Sequence, residues 1–205
     1  MYTYLAIGYE FITEFFPFLL VLIFFRRKRG RPFTFGHYAM LTLFALYIMA
    51  VYHVTGAGTI YDAMRKNPDH LMRNVNLIPF SQSISPLGYG LNVVIFVPFG
   101  FLVPLIWRKR EKFWQVFAAG LGFSLLIELS QLLCYRGTDV DDLIMNTLGA
   151  IVGFLLFKAW DKLTKSKCRL YGTDAGMLSA LIFSIYLGRC LMFNQLGLIH
   201  LIYGW

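Results

Sequence analysis

Trp114–Cys134 (WQVFAAGLGFSLLIELSQLLC), Tyr135–Asp142 (YRGTDVDD) and Leu143–Trp160 (LIMNTLGAIVGFLLFKAW) follow one another without a break. The two outer pieces are apolar runs near the roughly 20 residues that a helix needs to cross a hydrocarbon core. Between them stand one cation and three carboxylates. Two spans joined by a short polar loop follow from this order. Outward in the chain, comparable runs occupy Tyr4–Phe25, Gly36–Val54, Gly88–Trp107 and Ala175–Leu196, about six spans in all. Six crossings consume about 120 apolar residues, and the 205-residue chain is 58% hydrophobic. Only 15% of its residues are charged, against about 25% in ordinary soluble domains. A disordered chain is excluded. The expected fold is all-α: a polytopic transmembrane helical bundle forming one membrane domain over residues 1–205, without internal repeats.

The net charge of +8 raises the question of nucleic acid, and the distribution of charge answers it. Arg26, Arg27, Lys28, Arg29 and Arg31 form one basic group. Arg108, Lys109, Arg110 and Lys112 form a second, and Lys158, Lys162, Lys165, Lys167 and Arg169 a third. Together they hold 14 of the 19 basic residues, and all three fall on the same side of the proposed spans. That is the positive-inside bias of cytoplasmic loops, so no nucleic-acid partner is expected. Both termini are then placed outside. The first run precedes its basic residues and lacks a small-residue cleavage pattern, so it is expected to remain as a span.

Two loops face outward, Thr55–Leu87 and Tyr135–Asp142. The longer carries Asp62, Arg65, Lys66, Asp69 and Arg73, then turns apolar at Asn76-Leu77-Ile78-Pro79-Phe80, and is expected to lie on or dip into the outer leaflet. Trp107, Trp114, Trp160 and Trp205 fit interfacial anchors. Cys134, Cys168 and Cys190 show no CxxC or metal spacing. His37, His53, His70 and His200 read as interfacial or core residues, with no HExxH pair among them. A calcium loop, a nucleophile elbow and a phosphate-binding glycine loop are likewise missing from the sequence. No metal or cofactor is expected.

A charge within a span costs on the order of 2.5–3.5 kcal/mol on insertion scales, so each one needs a partner or a task. Glu10, Glu14, Glu128 and Arg189 are the cases here. Gly120, Ser124, Glu128 and Gln131 share one helical face, as do Asp142, Asn146, Gly149 and Gly153. From the helical rise, Glu128 lies ~9 Å and Asn146 ~6 Å below the outer end of their helices. Asn92 sits at a similar depth in the third span, ahead of Pro98, which removes a backbone bond beside the same layer. The Gly149-x-x-x-Gly153 spacing turns this face toward a neighbouring helix rather than lipid. Glu128, Asp139 and Asp142 are suited to acid/base work, to a cation, or to pairing with Arg136 and Arg189. Glu10 and Glu14, one turn apart, are candidates to pair with Arg189.

The ordered set Asn76-x-x-Pro79-Phe80, Asn92-x5-Pro98-Phe99-Gly100, Glu128-x-x-Gln131 and Arg136-x-x-Asp139-x-x-Asp142-x-x-x-Asn146-x-x-Gly149-x-x-x-Gly153 resembles the VanZ family of bacterial membrane proteins. The resemblance covers roughly Leu71 to Trp160. It implies a multi-pass plasma-membrane protein whose named member raises resistance to teicoplanin, a lipid-tailed glycopeptide. It implies no reaction.

Three functional classes compete. In the first, Asn76, Asn92, Gln131, Arg136 and Asn146 bind a lipid-linked precursor, another cell-envelope molecule or a lipoglycopeptide at the outer face, with Arg136 suited to phosphate or carboxylate. In the second, Glu128, with Asp139 and Asp142, serves a hydrolase or transferase acting on a lipid-linked substrate. A transporter fits less well, because the polar stripe thins to Gly120 and Ser124 toward the cytoplasm.

Overall fold

The apolar runs become helices whose ends are set by local chemistry. The structure, a computed structural model, describes residues 2–30, 32–65, 75–81, 85–107, 111–134, 136–165 and 175–192. Arg31, Lys66, Asp69, His70, Leu71, Arg73, Arg108, Lys109, Arg110, Tyr135, Lys167, Cys168, Arg169, Leu196, His200 and Trp205 lie outside the described residues. The helices are α1 (Tyr2–Arg29), α2 (Phe35–Thr55), α3 (Ile60–Arg65), α4 (Pro86–Ile106), α5 (Phe113–Gln131), α6 (Val140–Leu163) and α7 (Ala175–Met192). Two short strands, β1 (Val75–Asn76) and β2 (Thr138–Asp139), pair in parallel with Val75 opposite Thr138 and Asn76 opposite Asp139. The chain is an all-α polytopic membrane bundle. Helices α1, α2, α4, α5 and α6 are each long and apolar enough to cross a bilayer; the apolar stretch of α7, Gly176–Leu191, is shorter.

Several boundaries differ from the sequence expectation. α1 runs on through Arg26–Arg29, so this basic group is helical rather than loop; cations suit the last turn, where the helix dipole is negative. α6 starts inside the expected Tyr135–Asp142 loop, because the Asp139 side chain caps it by accepting from the Asp141 amide at 2.9 Å. The long outer loop is not wholly irregular, since α3 and β1 lie within it. Trp107 is no interfacial anchor. It ends α4 fully buried, with Phe44 of α2 5.0 Å away in an edge-on pair. A ring near a span end reaches the interface only when no neighbouring helix covers it. Trp114, by contrast, is exposed.

Side-chain pairings give the helix directions. Tyr47 of α2 donates to the Ile95 carbonyl of α4, and Phe44 meets Phe99 and Trp107 further along, so these helices are antiparallel. α5 runs against α6, with Glu128 at Asp139 and Ser124 at Asn146. α4 and α6 run parallel: Gly149 lies on Val93, Gly153 on Val97, and Phe101 on Trp160. The described basic residues Arg26–Arg29, Lys112, Lys158 and Lys162 consequently gather at one end of the bundle, the cytoplasmic end under the positive-inside bias.

α4 and α6 pack most closely of all, and glycine makes this possible. A methyl group at Gly100 would overlap the Ala150 carbonyl, at Gly149 the Val93 carbonyl, and at Gly153 the Val97 carbonyl. α4 continues through Pro98 and Pro104. Phe96, Phe99 and Phe123 fill the centre, with Phe99 and Phe123 stacked at 5.2 Å. The aromatic core lies below the outer end, where the polar residues collect.

Candidate functional site

The last turns of α5, the first turns of α6 and the start of α4 converge at the end of the bundle opposite the described basic residues. The Asp139 amide donates to the Glu128 carboxylate at 3.1 Å, and the Thr138 hydroxyl donates to the Glu128 carbonyl at 3.1 Å. Asp139 thus caps α6 with its side chain and holds α5 with its backbone. Asn92 of α4 donates its amide to Asp142 of α6. Deeper, the Asn146 amide nitrogen meets the Ser124 hydroxyl at 3.0 Å.

The outer segment is tied to the same helices. Asn76 donates to Asp139 at 3.2 Å while its side-chain oxygen accepts from the Ile78 amide and the Ser81 hydroxyl. Asp141, only 1% exposed, receives the Phe80 amide at 2.9 Å on one carboxylate oxygen and the Tyr89 hydroxyl at 2.6 Å on the other. Phe80 itself adopts a positive φ of 56° to reach it.

The C-terminus of α2 forms the opposite wall. Gly56 takes a left-handed conformation and its amide turns back to the His53 and Tyr52 carbonyls. The Arg136 guanidinium lies over Gly56 and donates to the Val54 and Thr55 carbonyls. It thereby satisfies helix-end acceptors that have no intrahelical partner. Gln131 donates to the Thr55 carbonyl at 2.9 Å.

These walls enclose a cavity of 410 Å³ lined by Asn92, Glu128, Gln131, Arg136, Asp139, Asp142 and Asn146, together with Thr55, Ser85, Tyr89 and several apolar side chains. Seven residues singled out from the sequence therefore meet in one space. Asn76 does not line it, because its amide is spent on the β1–β2 junction. Pro79 and Phe80 form an exposed turn at its rim. Pro98, Gly100, Gly149 and Gly153 belong to the α4–α6 seam beneath.

Two expected partnerships resolve differently from one another. Among the described residues, Arg136 makes no ion pair with a carboxylate and caps α2 instead. Arg189 lies apart from the cavity, where it donates to Glu10, to Glu14 at 3.0 Å and to the Ala57 carbonyl at 2.8 Å. Glu10 also meets His53 at 2.8 Å, and the exposed ring keeps the interfacial position expected of it. These buried charges lock α1, α2 and α7 together. Among the described residues, no group of three or more His, Cys, Asp or Glu is placed to hold a metal ion.

Sequence reasoning missed Thr55, Gly56, Tyr89 and the organising role of Asp141. Gly56 directly after an apolar run was a legible helix stop. Tyr89 carried no signal, since its hydroxyl acquires meaning only when α6 packs beside α4.

The family model described as VanZ/LLP1 matches residues 41–161. The chain belongs to the VanZ family. Protein VanZ from Enterococcus faecium is 33% identical over 116 residues, 56% of this chain and 71% of that protein. No solved structure matches. The VanZ match contains every cavity-lining residue, from Val54 to Asn146. Glu10, Glu14 and Arg189 fall outside it, so the VanZ segment coincides with the cavity and not with the α1–α7 network.

Proposed function

We propose that this VanZ-family protein binds the polar part of a cell-envelope ligand in its extracytoplasmic cavity. The ligand is a lipid-linked precursor or a lipoglycopeptide of the teicoplanin type, and binding lowers susceptibility to such antibiotics by altering their access to the membrane surface. One observation carries the reading: seven polar residues from α4, α5, α6 and the intervening loop line a single 410 Å³ space. Small-molecule sites run from about 300 to 1,000 Å³, so this one suits a head group and not an entire glycopeptide. Surrounding lipid would hold an attached tail.

The test is to express the protein and its Glu128→Gln and Asn92→Ala variants in a susceptible Gram-positive host lacking other resistance genes. Teicoplanin susceptibility is expected to fall with the parent and to return with either variant at equal membrane abundance. Unchanged susceptibility in all strains would remove the reading. A lipid-directed hydrolase or transferase is the second reading, favoured by the cavity-lining Glu128 whose carboxylate is oriented by the Asp139 amide. Turnover of a lipid-linked substrate by purified protein, lost in Glu128→Gln, would distinguish it from binding alone.

A further inference from the structure

Two buried acceptors in the cavity lining are left without a donor. The amide nitrogens of Asn92, Gln131 and Asn146 point at Asp142, the Thr55 carbonyl and Ser124. Because the Thr55 carbonyl can only accept, the Gln131 amide must present its nitrogen there, and its oxygen is left over. That Gln131 oxygen and the Asn146 side-chain oxygen are buried without any hydrogen-bond partner, in residues 4% and 2% exposed. An unsatisfied buried acceptor is destabilising, so two beside one cavity call for a donor.

Charge points the same way. Glu128, Asp139 and Asp142 face a single cation, Arg136, in the lining, and Arg136 already donates to the end of α2. The Tyr89 hydroxyl is likewise engaged, by Asp141. Phosphate would bring more negative charge to three carboxylates. Among the described residues, no group of three or more His, Cys, Asp or Glu is placed to hold a metal ion.

We infer that the cavity selects a ligand bearing a primary ammonium, held by the Glu128 and Asp142 carboxylates and the side-chain oxygens of Gln131 and Asn146. Arg136, suited from the sequence to a phosphate or carboxylate, is occupied here with the end of α2. It rests on the cavity being a ligand site, as proposed above, and specifies the chemistry. An ammonium supplies three donors and one positive charge, matching both deficits. Such a group can come from an aminolipid of the outer leaflet or from a soluble amino sugar.

Full-length protein in phosphatidylglycerol nanodiscs is titrated calorimetrically with glucosamine, N-acetylglucosamine and inorganic phosphate. A second set of nanodiscs contains phosphatidylethanolamine, whose retention is read by native mass spectrometry. Glucosamine is expected to bind at least about tenfold tighter than its N-acetyl form, and Glu128→Gln to weaken it at least about tenfold. Asp142→Asn serves the same purpose should Glu128→Gln fail to fold. Retained phosphatidylethanolamine that blocks glucosamine identifies the lipid as the source; glucosamine binding unaffected by it identifies a soluble amine. Equal binding of the two sugars, or preferential phosphate binding lost in Arg136→Ala, overturns the inference and leaves a ligand cavity of other chemistry. No binding by any probe also overturns it. In that case the susceptibility assay decides the fate of the broader reading: loss of protection in Glu128→Gln preserves it, and full protection ends it.

Discussion

The Asp139 amide donates to the Glu128 carboxylate at 3.1 Å, which makes the first residue of the α6 cap a clamp on the last turns of α5. The same aspartate accepts from Asn76 and from the Asp141 amide. One residue thereby joins two spans and the outer segment, and it fixes the cavity wall on which Glu128 stands.

Replacing Asp139 by Ala removes the helix cap and the Asn76 bond together. Loss of an N-cap costs about 0.5–2 kcal/mol, so thermal unfolding in detergent micelles should occur at lower temperature. Asp139→Asn retains a capping oxygen and is expected to unfold close to the parent. Equal unfolding of all three proteins would show that the cap contributes nothing.

Tyr89→Phe deletes one of the two bonds that hold Asp141. Hydrogen bonds to charged groups contribute about 1.5–3 kcal/mol, and the effect here is on the attachment of the outer turn. A cysteine placed at Ser81 should react faster with a membrane-impermeant maleimide in the Tyr89→Phe background. An unchanged labelling rate would mean that the Phe80 amide, β1 and Asn76 hold the turn without the tyrosine.

The α4–α6 seam predicts a contrast between glycines. Gly153→Ala drives a methyl group into the Val97 carbonyl, and overpacking of this kind costs about 1–3 kcal/mol. Gly122→Ala meets open space and should be neutral or stabilise by up to about 1 kcal/mol, since alanine restricts the unfolded chain. Unfolding midpoints of the two variants relative to the parent check the sign of each change.

Arg189→Met leaves Glu10 and Glu14 buried without their cation. Breaking a buried ion pair from one side costs about 3–5 kcal/mol, whereas replacing the whole set is often neutral. The triple variant Arg189→Met, Glu10→Gln, Glu14→Gln should therefore recover most of the folded yield that Arg189→Met loses. Equal yields of the single and triple variants would argue against charge burial as the cause.

Apolar runs of span length dictated the bundle, because transfer into hydrocarbon is a local property that each segment carries on its own. The shared faces of Ser124 with Glu128 and of Asn146 with Gly149 were legible for the same reason: helical periodicity is local. Partnerships across helices were not. Arg136 had carboxylates close by in sequence, yet it caps α2 more than eighty residues earlier, since Gly56 turns unpaired carbonyls toward it. Trp107 looked interfacial until Phe44 covered it. Tyr89 gained its role only from Asp141, and the unpaired Gln131 oxygen exists only because Thr55 takes the nitrogen. Hydrogen bonding is decided by which groups meet, and three-dimensional packing sets those meetings.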